Sequence, residues 1–365
     1  MAPENANSLE EQRPKPPAPQ EIEDLKRLVG GIVRAQGNRF IKHLLKKTEG
    51  VKIGANKIEF EHNLNEAIEK GNLRLSQVQA WLAEVEGWGD QHVYLYRLTR
   101  ALQRELTEDK IRQRVADMAL DHLWNAPTVL SFPEDPELTS ISHSNGILRL
   151  IWQESSPDWA HDEDRDYEES IGIDQYKFTA YRKVEKRAIT RFEAHPDKRL
   201  AALFISDPIH KSNEHQLAIE EAERVLDLLL DLTALKRNRL DIGKISRNLD
   251  QRNVPTNAKP NPSIKAQKSR LASGGSYVEF AANSPDKAYW EESAVRDVRD
   301  SVRQRPIGKF HGSNGAFIFL PDSNLNVFTR RLRVVLYGNQ RRIRLRAQMT
   351  ATEVWEILTQ LLTYA

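Results

Sequence analysis

Two stretches of the chain begin alike: "HSNGILRLIW" at His143–Trp152 and "GSNGAFIFLP" at Gly312–Pro321. In each, a Ser-Asn-Gly triplet comes before residues with the apolar alternation of a strand. Asn-Gly is the strongest two-residue signal for a hairpin turn. Each stretch therefore predicts a turn followed by a strand, and their repetition indicates a duplicated unit.

The order of elements around the two stretches supports this interpretation. Helical spacing of apolar residues predicts helices before and after each group of strands, at residues 109–125, 212–232, 290–305 and 350–364. Further turns are predicted at His195-Pro196-Asp197 and Gly338-Asn339. Each half thus has the predicted order helix, about four antiparallel strands, helix. We expect one curved antiparallel sheet with helices on one face and water on the other.

The N-terminal part of the chain has a different pattern. Apolar residues recur with helical spacing from residue 20 to residue 105, and the last predicted helix is "DQHVYLYRLTRALQREL" from Asp90. Short helices joined by short loops are typical of an all-α bundle. We expect most of a group of five residues to pack in the core, namely Trp81, Trp88, His92, Tyr94 and Tyr96. His92 has no second ligand at metal-binding spacing.

The predicted fold class is therefore α+β: an N-terminal all-α helical bundle followed by a duplicated antiparallel curved-sheet domain. The predicted segments are a disordered tail (1–19), a basic helical bundle (20–105), a first half (106–250) with an acidic loop (154–174), a linker (251–275) and a second half (276–365).

Composition excludes several classes of protein. The chain contains no cysteine, which excludes disulfides, thiolate zinc sites and cysteine nucleophiles. Its mean hydropathy is −0.62, and no apolar run approaches the roughly 18 residues of a membrane span. The N-terminus lacks the apolar region of a secretory signal. We expect an intracellular protein, cytoplasmic or nucleoid-associated (nuclear if eukaryotic), with no membrane partner.

Charge is unevenly distributed, although the formal net charge is only +2. Residues 26–57 contain nine Lys or Arg and one acid, whereas residues 134–174 contain twelve acids and two arginines. From Arg237 to the end there are 22 basic and 11 acidic residues. Solubility alone is one explanation. Two basic regions flanking an acidic one favour a nucleic-acid partner, and we expect double-stranded DNA.

Two neighbouring predicted strands concentrate arginine on one face. Period-two alternation places apolar residues of "RRLRVVLY" and "RRIRLRA" toward the core and the arginines toward solvent, namely Arg331, Arg333, Arg342, Arg344 and Arg346. Like charges facing each other destabilise a strand pair, so an anion is expected to offset them. The alternative is that these arginines protect a sheet edge from aggregation.

A second basic group lies on the predicted helices near the N-terminus and on the following loop. Its members are the expected phosphate-binding residues Arg39, Lys42, Lys46, Lys47, Lys52 and Lys57. The predicted linker adds five basic residues, at positions 252, 259, 265, 268 and 270. These could contact phosphates, or the segment is a solvated spacer.

No catalytic motif is found, and we expect no cofactor, metal or catalytic residue. The acidic stretch around His161 and Asp166 lacks calcium-loop spacing and is interpreted as a solvated loop. Asp174–Lys177 and Glu185–Lys186 have a weak similarity to metal-dependent nuclease residues. The question of an enzyme stays open: a nuclease or antiviral-type effector is one alternative to a binding protein. Another is a protein-interaction subunit of a larger complex, whose basic faces meet an acidic partner.

One region resembles a known family. "HNLNEAIEKGNLRLSQVQAWLAEVEGWGDQHVYLYRL" at residues 62–98, "NAPTVLSF" at 125–132 and "ILRLIWQES" at 147–155 are similar to the centromere protein N family of the inner kinetochore, mainly over residues 38–153. The resemblance implies a non-enzymatic protein that binds DNA and histone through a basic helical domain and a basic sheet groove.

By position, that resemblance assigns phosphate contacts to Lys42, Lys46, Lys47, Lys52 and Lys57. The chain departs from the family in having no cysteine and in its closing segments, which do not match the family's partner-binding end. If the chain is prokaryotic and shares only the shape, histone contact does not carry over.

Overall fold

The structure is a computed structural model that combines helices with one large antiparallel sheet. It describes residues 19–35, 38–48, 50–88, 90–126, 133–162, 165–206, 214–252, 264–273, 276–284, 287–304, 311–321, 327–346 and 349–365. The sequence also predicts strands at 128–132 and 308–312 and a helix cap at Ser212 or Asn213. Residues 128–132, 212–213 and 308–310 lie outside the described ranges, as do the predicted tail up to residue 18 and residues 253–263. The chain divides into two compact units, residues 1–85 and 86–365.

The described part of the first unit contains four helices. Their bounds are α1 Pro19–Ala35, α2 Asn38–Lys47, α3 Lys57–Glu69 and α4 Leu75–Gly87, the last of which crosses the unit boundary. Leu25, Val29 and Val33 recur every four residues on α1 and are buried, as helical geometry requires of one face. Asn56 caps α3 by accepting a hydrogen bond of 2.9 Å from the amide of Glu59.

The second unit is built on a ten-stranded sheet with the order β2-β3-β6-β7-β1-β12-β11-β10-β8-β9, in which each neighbouring pair is antiparallel. The strands are β1 Gln91–Arg97, β2 Glu137–Ser144, β3 Ile147–His161, β6 Tyr181–His195, β7 Leu200–Ser206, β8 Ile264–Ser273, β9 Ser276–Ala281, β10 His311–Phe319, β11 Leu332–Tyr337 and β12 Arg342–Leu345. A separate two-stranded hairpin joins β4 Tyr167–Ile171 to β5 Asp174–Phe178. The antiparallel character expected from the sequence is confirmed.

Helices accompany this sheet along the chain. They are α5 Arg100–Glu105, α6 Glu108–Asp117, α7 Glu214–Leu229, α8 Leu232–Arg237, α9 Ile242–Arg252, α10 Ser293–Gln304 and α11 Ala351–Leu362, with short 3-10 helices at Asp121–Leu123 and Tyr289–Glu291.

The predicted fifth helix of the N-terminal bundle is wrong in its first part, because Gln91–Arg97 is the strand β1 and only Arg100–Glu105 is helical. β1 pairs with β7 on one side and with β12 on the other. Val93 and Leu95 enter one apolar layer, and Tyr94 and Tyr96 enter the other. A strand buried on both faces has no polar alternation, so its apolar run has the same pattern as a buried helix.

Helices lie on both faces of the sheet, each group over a different part of it, which corrects the expectation of helices on one face. α9 and α11 pack with β8, β10, β11 and β12 in one apolar layer. α5, α6, α7 and α8 pack with β2, β3, β6 and β7 in the other. Because β1 and β7 send alternate residues into each layer, the layers lie on opposite faces. The face of β8–β12 that points away from α9 and α11 is therefore left without a described helix.

Only one of the two Ser-Asn-Gly triplets forms a turn. Asn145 and Gly146 have φ values of 52° and 75°, as a tight hairpin turn requires, and join β2 to β3. Ser313, Asn314 and Gly315 instead lie inside β10. Asn314 pairs with Tyr337 of β11, and its Oδ1 accepts a 2.8 Å hydrogen bond from the amide of Gly338. The predicted second turn is wrong, and the duplication that it suggested stays a prediction.

Two predicted loops are also strands. Ile264–Ser273, placed in the linker by the sequence, is β8, an interior strand of the sheet. The acidic loop at 154–174 is largely strand as well, because β3 continues to His161 and β4 begins at Tyr167. Both segments are rich in polar and charged residues, which is why the sequence pattern favoured a loop. In the structure the charged residues lie on exposed faces of the strands.

Candidate nucleic-acid interface

The open face of β11 and β12 carries the arginines that the alternation predicted. Leu332, Val334 and Leu336 are buried under α9 and α11, while Arg333 is exposed on the opposite side. On β12, Ile343 and Leu345 are likewise buried between more exposed arginines. The alternation places Arg333, Arg342, Arg344 and Arg346 on one face. Arg331 is exposed just before β11 and does not line the concavity described next.

Four cationic side chains on this face surround a shallow concavity of about 230 Å³. They are Lys268 and Arg270 of β8, Arg333 of β11, and Arg346 just beyond β12. The register that pairs Val334 with Leu345 sets Arg333 opposite Arg346. Neither arginine pairs with a carboxylate in the part of the chain that the structure describes. The remaining lining is Glu279, Asn314, Gly315, Ala316, Val335 and Tyr337.

Some of the positive charge on this face is compensated within the chain. Lys268 Nζ lies 2.8 Å from Glu279 Oε1, the only carboxylate of the lining. The Arg270 guanidinium stacks on the ring of Tyr277 at 3.4 Å. Arg344 Nε lies 3.4 Å from Asp90 Oδ1, whose side chain is 48% exposed. Exposed ion pairs of this kind contribute about 0–1 kcal/mol and exchange readily, so the cations stay available to an anion.

Arg342 is held differently from the other three arginines of this face. Its guanidinium lies 5.0 Å from the ring centroid of Tyr337, and its Nε is buried without a hydrogen-bond partner among the described residues. The stacking orients the guanidinium and leaves the Nε–H donor without a hydrogen-bond partner among the described residues. Arg342 therefore borders the concavity without lining it.

Sequence reasoning did not place Lys268 and Arg270 in this site, although it noted them as linker cations. The alternation of charged and apolar residues that would have placed them is broken by a register shift in β8. There Ala316 pairs with Lys268, but the next residue, Phe317, pairs with Ala266. The extra residue, Gln267, interrupts the period of two, so apolar and charged positions lose their alternation along "IKAQKSRL". Only the pairing with β10 shows that both cations face the same side as Arg333.

The helical unit holds the other predicted phosphate-binding residues. Lys42 and Lys46 lie one turn apart on α2, and Lys42 Nζ is 5.9 Å from the ring centroid of Phe60. Lys52 is exposed on the loop, and Lys57 begins α3. Lys52 also helps to lower the pKa of Glu66, after the larger effects of Lys70. Arg39 and Lys47 lie on α2, but their side chains are outside the described part.

The glycine of the basic loop has a steric role. At Gly54, a Cβ would come within 2.6 Å of the Glu59 Cβ. This close approach lets the loop turn back over the first turn of α3, where Ala55 donates a hydrogen bond of 2.9 Å to the Glu59 carboxylate. The loop that carries Lys52 is thus fixed against the helix that begins with Lys57.

A buried ionic cluster lies on β6, where the sequence analysis predicted no functional or ionic site. Glu193 is 1% exposed and accepts hydrogen bonds from Arg149 Nε at 2.6 Å and from Trp355 Nε1 at 2.9 Å. His195 Nε2 lies 3.3 Å from the same carboxylate. Arg191 Nε is 3.1 Å away, with its guanidinium 3.7 Å from the Trp88 ring centroid.

The protonation of this cluster indicates a structural role. Burial by itself would raise the pKa of the Glu193 carboxyl, but the charges of Arg191 and Arg149 and the hydrogen bond from His195 outweigh it and lower the pKa to about 2. Burial also lowers the pKa of Arg191 to about 10. A general acid or base works best with a pKa near the operating pH. Glu193 stays ionised at neutral pH and fits the role of a charge anchor for the strand.

The residues weighed for a nuclease lie on two different strands. Asp174 and Lys177 are on β5 of the exposed hairpin, and Glu185 and Lys186 are on β6, with side chains outside the described part. His161 Nε2 contacts Asp166 at 2.8 Å. Within the described ranges, no three His, Asp or Glu side chains are grouped closely enough to hold a metal ion.

The core assignments made from the sequence hold: Trp81, Trp88, His92, Tyr94 and Tyr96 are each at most 9% exposed. Among the described helices, none combines the length and the apolar character needed to cross a bilayer. Comparison of the chain with known family models and with curated proteins gave no match.

Proposed function

We propose that this protein is a non-enzymatic nucleic-acid-binding protein that holds the phosphate backbone of double-stranded DNA on the open face of β8–β12. The observation that carries the proposal is the grouping of Lys268, Arg270, Arg333 and Arg346 around one concavity with a single carboxylate. Guanidinium groups bind phosphate oxygens in a bidentate manner and keep their charge at every physiological pH.

The position of the four cations supports backbone contact over base reading. They extend from one face of the sheet and surround a shallow depression. Phosphate contacts of this kind position a duplex without reading its sequence. The lysines of α2 and the following loop are a second group of proposed phosphate contacts. The resemblance to the centromere protein N family points to the same activity, so the proposal includes association with chromatin or the nucleoid.

A salt titration of binding tests the proposal. We expect the logarithm of the affinity for a labelled duplex, measured by fluorescence anisotropy, to fall linearly with the logarithm of salt concentration. The slope is about −0.9 for each neutralised phosphate, so about six contacts would produce a slope near −5. A slope near zero would rule out backbone binding.

The matched variants locate the contact on the protein. Arg333→Gln combined with Arg346→Gln is expected to weaken binding and to make the slope shallower by about 1.8, because two phosphate contacts are lost. Arg104→Gln combined with Arg112→Gln, which removes two charges from exposed positions on α5 and α6, is the control and should leave the slope unchanged. Equal effects of the two changes would mean that general positive charge, and not this concavity, holds the duplex. A single-stranded RNA of equal length, used as competitor, separates DNA from RNA as the ligand.

A further inference from the structure

The hairpin β4–β5 exposes one apolar, aromatic face to solvent. Its strands pair in the register Tyr167–Phe178, Glu169–Tyr176 and Ile171–Asp174, so these six side chains lie on one face by the alternation of strands. Tyr167 is 54% exposed, Ile171 51% and Tyr176 45%. Ile173, at the turn, is fully exposed. Apolar side chains grouped in this way are typical of an interaction site.

The opposite face of the same hairpin is polar, and it provides a comparison for the aromatic face. Glu168 pairs with Lys177 and Ser170 pairs with Gln175, so that face is polar and electrically balanced. Both faces are exposed. Burial within the described chain therefore does not explain why the aromatic residues are confined to one of them.

The rings of the apolar face are already arranged in a ladder. Tyr167 and Phe178 are stacked, with their centroids 4.6 Å apart and their planes 15° from parallel. Tyr176 follows at 6.4 Å from Phe178. Rings held against each other in this way lose little further freedom when a partner covers them, which lowers the entropic cost of binding.

Two carboxylates lie among the apolar side chains of this face and favour a positively charged partner. Glu169 lies across from Tyr176, and Asp174 lies across from Ile171, so two successive rows each pair one acid with one apolar side chain. Both carboxylates would repel phosphate, which disfavours nucleic acid or an anionic membrane as the occupant. An arginine side chain suits such a row, because its guanidinium can stack on a ring while it donates to the adjacent carboxylate.

We propose that the face formed by Tyr167, Glu169, Ile171, Asp174, Tyr176 and Phe178 docks an extended, basic segment of another protein, in which arginines alternate with apolar residues. An extended segment matches the two-residue repeat of the face. It can also add to the hairpin as a further strand, since β4 and β5 pair only with each other among the described strands. This docking surface is separate from the basic concavity and does not depend on it.

A labelled peptide in which arginine alternates with valine and threonine is the probe, with fluorescence anisotropy as the measurement. We expect saturable binding to the full-length protein and a loss of at least about tenfold with Glu169→Lys, equivalent to about 1.4 kcal/mol. Glu168→Lys makes the same charge change on the other face and should reduce binding by less than about threefold, because its side chain points away from the docked segment and salt screens its charge. Tyr176→Ala and Gln175→Ala form a second matched pair with the same expected contrast. Each variant changes an exposed side chain, and its far-ultraviolet circular dichroism confirms folding.

Several outcomes would overturn the proposal. These are no saturable binding, equal losses for Glu169→Lys and Glu168→Lys, or equal binding of a peptide in which glutamate replaces arginine. The oligomeric state of the wild-type protein and of Glu169→Lys is measured by analytical ultracentrifugation. Self-association that Glu169→Lys abolishes would assign the face to a second copy of this chain instead.

Discussion

Trp355 Nε1 of the C-terminal helix donates a hydrogen bond of 2.9 Å to the carboxylate of Glu193, although 162 residues separate the two in the chain. Trp355 also lies against the ring of His195, with 3.8 Å between the centroids. These contacts join α11 to the interior strand β6. Glu193 thus serves as an attachment point for a helix as well as the counter-charge of two arginines.

Removing the charge of Glu193 is expected to destabilise the protein strongly. Glu193→Gln keeps the size of the side chain but leaves Arg191 buried without its carboxylate, and breaking a buried ion pair in this way costs about 3–5 kcal/mol. Urea unfolding followed by circular dichroism measures the change in the free energy of unfolding. Glu134→Gln, at an exposed position, is the control and should change it by less than about 0.5 kcal/mol. A similar small effect for Glu193→Gln would show that the cluster is not a stabilising anchor.

The same carboxylate predicts how stability depends on pH. The pKa of Glu193 is about 2 in the folded protein against an ordinary value of 4.5, so between these values the unfolded chain binds more protons. The contribution of Glu193 is fully present above about pH 4.5 and is lost as pH falls toward 2, by roughly 3 kcal/mol in total at 1.36 kcal/mol per pKa unit.

Other carboxylates with lowered pKa values, such as Glu105, also titrate in acid, so the difference between wild type and Glu193→Gln is the quantity to measure. That difference in the free energy of unfolding should narrow as pH falls from 4.5 toward 2. A constant difference over this range would contradict the lowered pKa of Glu193.

The arginines of the concavity are expected to contribute little to folding. Arg333 and Arg346 face each other without a carboxylate partner among the described residues, and like charges in such positions destabilise a strand pair by up to about 1 kcal/mol. The double change Arg333→Gln and Arg346→Gln should therefore leave the melting temperature unchanged or raise it. Thermal unfolding at low salt is the most sensitive measurement, because salt screens the repulsion. A clear fall in melting temperature would mean that contacts within the chain hold these arginines.

Two glycines offer a contrast in the effect of one added methyl group. At Gly315 a Cβ would lie 2.5 Å from the Phe317 ring and 3.0 Å from Ser246 Oγ, so Gly315→Ala is expected to destabilise the sheet by about 1–3 kcal/mol. At Gly31, on α1, nothing lies within 4 Å of that position. Gly31→Ala should stabilise its helix by up to about 1 kcal/mol. Chemical unfolding of both variants measures the change in the free energy of unfolding and its sign. No change for Gly315→Ala would show that β10 can move away from α9.

Local patterns were enough for several parts of the fold. The last helix was predicted over residues 350–364, and it begins just after Thr350, whose hydroxyl accepts a 3.1 Å hydrogen bond from the amide of Glu353. Asn145-Gly146 forms the expected turn, and the arginines of β11 and β12 alternate with buried residues as predicted. Caps, tight turns and strand alternation depend on residues only a few positions apart, so a single sequence contains the whole signal.

The remaining features depend on pairing between distant segments. β1 became a strand because β7 and β12 bind its two edges, and Ser313-Asn314-Gly315 stayed extended because β8 and β11 flank it. A register shift placed Lys268 beside the predicted arginines.

The sequence by itself determined the Asn145-Gly146 turn, the alternation of buried and exposed residues on β11 and β12, and the two regions in which basic residues predominate. Only the tertiary structure decided which cations share a concavity and that Glu193 meets Trp355. The physical reason is that those contacts join segments up to 162 residues apart, and a long-range contact of this kind leaves no periodic trace in the residues between them.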